Sequence, residues 1–65
     1  MASLSDVRVR AMEDRHAEGI VLAHLGDTYG ALSDTAAARE SWRAAQAILD
    51  DLAHPEAEAL RAKLR

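Results

Sequence analysis

Apolar positions recur along this chain at steps of three and four, the spacing of one face of a helix. Leu4, Val7 and Ala11 fall on one face, with Met12 beside them, and predict a short helix over 4–14. Ser3, with Asp6 three residues later, is a variant helix-start box with Asp in place of Glu. The polar stretch Glu13-Asp14-Arg15-His16 is expected to end this helix. A second helix is predicted over 17–32, striped by Leu22, Leu25, Gly26, Tyr29 and Leu32. Ser33-Asp34 is a turn and N-cap signal. A third helix follows over 35–52, with Ala38, Trp42, Ala45, Leu49 and Leu52 on one stripe and Ile48 beside it. Ala53-His54-Pro55 breaks the chain, and a fourth helix is predicted over 55–64. Pro55 suits its first position, where the missing N–H does no harm. Glu56 and Glu58 near its start, and Arg61 and Lys63 near its end, suit the helix dipole.

The fold class expected is therefore all-α, a single domain of about four helices. The connections are short, so neighbours pack antiparallel. Gly26 and Gly30 each cost about 1 kcal/mol relative to Ala inside a helix. Their presence in the second helix points to close approach of another helix.

The residues Leu22, Leu25-Gly26, Tyr29, Ala38, Trp42 and Ala45 sit at the spacing of one tetratricopeptide repeat, a helix–turn–helix unit of about 34 residues. Residues 19–52 resemble one complete repeat. The ending from Leu49 to Pro55, and the helix from Glu56 to Leu64, resemble the C-terminal repeat and capping helix of the Streptomyces antibiotic regulatory proteins and their nucleotide-binding relatives. Two positions depart from the repeat's pattern: Ser33 stands where a turn Gly is usual, and the Pro expected after the second repeat helix comes late, at Pro55. About 34 residues before Ala38 and Ala45 stand Leu4 and Ala11. The resemblance thus implies a right-handed superhelical fragment: half repeat, full repeat, capping helix. Its core would be Leu22, Leu25, Gly26, Tyr29, Ala38, Trp42, Ala45 and Leu49. Its concave, partner-binding face would be Ile20, Ala23, His24, Asp27, Gly30 and Ala31. The alternative is that this face simply packs on the first helix of this chain.

That implied face is mostly small and apolar, with one acid, so it fits an apolar helix better than an acidic peptide terminus. The resemblance implies a non-catalytic protein-interaction module, part of a bacterial regulator or scaffold.

Composition narrows the alternatives. The chain has 65 residues, no Cys, and only Tyr29 and Trp42 as aromatics. A chain of this size buries about 60% of its unfolded surface, so its own stability is marginal. Without disulfides, association with a second chain is the remaining staple. A self-associating helical docking domain is accordingly the second reading, with a homo-oligomer expected.

The net charge of −3 is spread over both halves, which argues against nucleic acid. A DNA-reading third helix would rest on Arg39 and Arg43 alone. No apolar run reaches membrane-spanning length, and no leader pattern is seen at the start. The expected location is the cytoplasm. His16, His24 and His54 show no metal-ligand spacing. No catalytic constellation or phosphate-binding Gly loop stands out. The expectation is no enzyme activity, no cofactor and no metal.

Overall fold

A computed structural model describes residues 4–65, with side chains from Val7 onward. The helix-start box at Ser3 lies outside the described residues. The chain folds into three helices: α1 (Leu4–Ala31), α2 (Thr35–Asp51) and α3 (Glu56–Leu64). No strand occurs among the described residues. The all-α expectation holds, but the first two predicted helices, 4–14 and 17–32, are one. Glu13-Asp14-Arg15-His16-Ala17 contains neither Pro nor Gly, and polarity alone does not interrupt the i→i−4 ladder.

At 1.5 Å per residue, the 28 residues of α1 span about 42 Å and the 17 of α2 about 25 Å. The molecule measures 48 × 19 × 12 Å. Arg15 of α1 meets Asp51, the last residue of α2 (3.3 Å). The part of α1 before Arg15 therefore runs past the end of α2.

Both turns close the same way. Ser33 has φ 64° and Ala53 has φ 53°, the left-handed region. After α1, the Asp34 N–H donates to the Tyr29 carbonyl (2.9 Å) and the Ser33 N–H to Gly30 (3.1 Å). After α2, the His54 N–H donates to Leu49 (2.8 Å) and the Ala53 N–H to Asp50 (3.0 Å). These paired bonds are the Schellman ending, which satisfies carbonyls the helix would leave bare. Glycine is usual at the left-handed position, and this chain uses it at neither. Asp34 then caps α2, its carboxylate accepting from the Ala37 N–H (3.2 Å).

The core is small. Ala38, Ala45, Leu49, Ala57 and Leu60 are buried, with Ser41. Ile20, Leu22, Ala23 and Trp42 pack against this cluster from its margin. Gly19 and Gly26 are buried where α1 crosses α2. A Cβ on Gly19 would lie 2.9 Å from Leu49 Cδ2, and one on Gly26 would clash with the pyrrole edge of Trp42. Removing the side chain is what lets the two helices meet there. Gly30 is different: it is exposed, and a Cβ there would make ordinary contact with Trp42 (3.7 Å).

Candidate interaction surfaces

Of the residues expected to form a concave face, Ala23, His24 and Asp27 lie beside α3. Ile20 and Ala23 are half-buried against the core cluster. Asp27 is tied up in polar contacts. Its Oδ1 accepts from Trp42 Nε1 (3.2 Å) and from Lys63 Nζ (2.8 Å). The ammonium of Lys63 also sits 5.5 Å from the Trp42 ring centroid, within cation–π range. The Lys63 hydrogen bond holds the Asp27 carboxyl below its ordinary range against the opposing effect of burial, and the Lys63 charge and the indole N–H lower it further by smaller amounts. His24, Gly30 and Ala31 are exposed. A cavity of about 90 Å³ remains between α1 and α3, lined by Ala23, His24, Asp27, Glu56, Ala59, Leu60 and Lys63. Ala23, His24 and Asp27 of the expected partner face thus share this space with the chain's own last helix, and Gly30 and Ala31 stay open.

The other flank of α1 is open. Leu22, Leu25 and Tyr29 of α1 face Ala37, Glu40, Ser41 and Ala44 of α2 across a groove of about 300 Å³. Leu25, expected in the core, is 40% exposed here, while Leu22 and Tyr29 are half-buried. Val21 and Leu32 flank them at 63% and 71% exposure, and Val7 continues the strip at 54%. At 100° per residue these four, Val7, Val21, Leu25 and Leu32, fall within about 40° of one another around α1. The glycines that meet α2 lie more than about 100° away. The exposed apolar strip therefore runs along a different side of α1 from the one that packs on α2. Asp14 and Glu18 interrupt it in the middle. Of the expected core residues, Gly26, Ala38, Ala45 and Leu49 are buried, and Trp42 is half-buried.

A third hollow, about 390 Å³, is lined by Ala36, Arg39, Glu40 and Arg43 on the outside of α2. The two guanidinium groups stand one turn apart with Glu40 between them, all three residues exposed. Charges so arranged solubilise a face and add little binding energy by themselves.

One contact escaped the sequence altogether. His16 of α1 and His54 of the α2–α3 turn place their Nε2 atoms 3.0 Å apart. No sequence signal pairs residues 38 positions apart without a repeat or motif to relate them. Among the described residues no group of three His, Asp, Glu or Cys is placed to hold a metal ion. No described helix is long and apolar enough to cross a membrane. Compared with protein-family models, curated protein sequences and solved structures, the chain matches none of them.

Proposed function

We propose that the chain is a non-catalytic protein-interaction module of tetratricopeptide type, which docks an apolar helix on the outer flank of α1. The observation that carries this reading is the exposed strip Val21, Leu25 and Leu32, together with the groove between Leu25, Tyr29 and Ala44. Contiguous exposed apolar surface rimmed by polar residues marks an interaction site on a water-exposed domain. Asp14, Glu18 and Glu40 provide that rim. In a repeat array this is the flank that a neighbouring repeat would cover. The Leu-Gly, Tyr, Ala, Trp and Ala spacing of residues 25–45 supports the repeat reading. A bacterial regulatory or scaffold protein in the cytoplasm is the parent that the resemblance suggests.

A second copy is the first partner to test, because the core amounts to four buried clustered side chains and gains most from association. The melting temperature of the protein, followed across a hundredfold range of concentration, reads this directly. It should rise with concentration in the native chain and stay flat in Leu25→Glu. A flat response in both would remove self-docking and leave a foreign apolar helix as the partner. A rise undiminished in Leu25→Glu would put the interface on another surface.

A further inference from the structure

His16 and His54 are both half-buried, with ring centroids 4.6 Å apart and Nε2 atoms 3.0 Å apart. The second nitrogen of His54 is also engaged: its Nδ1 accepts from the Glu56 backbone N–H (3.2 Å). A ring nitrogen that accepts carries no proton. In neutral His54 the proton is therefore on Nε2, which donates to His16. His16 Nε2 must then be bare, and His16 holds its proton on Nδ1. The hydrogen-bond pattern assigns these tautomers, and it admits only two neutral rings. A proton added to His16 Nε2 would set N–H against N–H. A proton added to His54 Nδ1 would face the Glu56 N–H. A metal ion between the rings would need the His54 Nε2 lone pair, and moving that proton to Nδ1 would leave the Glu56 N–H unpaired.

We propose that the His16–His54 pair is a proton-sensitive latch, which fastens the start of α3 to α1 when both rings are neutral and releases it when either is protonated. Once the rings part, both nitrogens of each imidazole are free to carry a proton. The latched form has no place for an added one. Acid favours whichever form binds more protons, so it favours the open one.

Charged residues stand close in sequence to the pair on each element that meets it. On α1 they are Glu13 and Arg15, at the end of α2 Asp50 and Asp51, and at the start of α3 Glu56 and Glu58. Arg15 pairs with Asp51, and Arg61 pairs with Asp50.

The far end of α3 is held by different chemistry. Lys63 bridges to Asp27, whose carboxyl stays ionised to lower pH than usual. Mild acid therefore loosens the α2–α3 turn and the first residues of α3, while Ala57 and Leu60 in the core and the Lys63–Asp27 bridge hold the rest.

The test is amide hydrogen exchange by NMR on the full chain at about pH 7.5 and about pH 5.5, each rate corrected for the intrinsic effect of pH. Amides at the start of α3 are expected to lose about tenfold in protection at the lower pH, while those of Ala45 and Leu49 keep theirs. His16→Phe, which keeps a ring but no titrating nitrogen, should abolish the difference. A native chain with equal protection at both pH values would overturn the latch, as would an undiminished difference in His16→Phe. Imidazole ¹⁵N shifts of the native protein give a check that needs no variant. Opposite tautomers on the two rings at about pH 7.5 are expected, and the same tautomer on both would overturn the assignment.

Discussion

Gly26 and Trp42 share one volume: the Cβ that Gly26 lacks would stand 3.0 Å from the indole Cγ, and closer still to the pyrrole edge. This pair sets how near α1 and α2 come. Gly26→Ala should therefore destabilise the fold. Overpacking costs about 1–3 kcal/mol, which outweighs the gain of about 1 kcal/mol in helix propensity. Gly30→Ala is the control, because its Cβ has room and sits on an exposed face. It should stabilise by about 0.5–1 kcal/mol. For a domain of this size each kcal/mol moves the melting temperature by about 4–8 °C, so thermal unfolding separates the two variants.

The turns give a second prediction. Ser33 and Ala53 hold left-handed backbone with a Cβ present, which costs about 1–2 kcal/mol relative to a conformation an L-residue prefers. Glycine relieves this, at some cost from its freedom in the unfolded chain. Ala53→Gly and Ser33→Gly should each stabilise by about 0.5–1 kcal/mol, seen as a higher midpoint in urea at an unchanged slope. Asp34→Ala, one residue after Ser33, should act the other way, by about 1 kcal/mol, through the lost cap on α2.

Asp27 gives a third, with a definite sign. Its folded value is depressed, chiefly by the Lys63 hydrogen bond. The stability it contributes is present above the ordinary Asp range and is lost as pH falls through the lower, folded value. Lys63→Met should move the Asp27 carboxyl back up toward the ordinary range, as read by its ¹³C shift in a pH titration. Both groups are about half exposed, so salt should weaken the pair.

How far the sequence could be read differs from helix to helix. Ala38, Ala45 and Leu49 of α2 declare the buried side because that helix has one apolar face and one polar face. Pro55 and the Gly-free ending at Ala53 locate the second turn. The continuity of α1 was hidden because its apolar residues spread around it. Val7 and Val9 lie on nearly opposite sides, so no single stripe carries through Glu13–His16. Leu25 reads as core in the repeat's pattern and is partly exposed here, since no described residue covers its flank. Gly26 and Gly30 look alike in the sequence; only the position of the Trp42 ring separates them. The ties between α1 and α3, His16 to His54 and Asp27 to Lys63, depend on how the last helix folds back, which local periodicity does not encode.

The part of the proposal most directly open to test is that the outer flank of α1 docks a second copy. Sedimentation equilibrium across a wide concentration range tests it most directly. The expected result is a mass that rises from 7.0 kDa toward twice that value, with Leu25→Glu held at the monomer. A folded native chain that stays at 7.0 kDa at every concentration would contradict the claim.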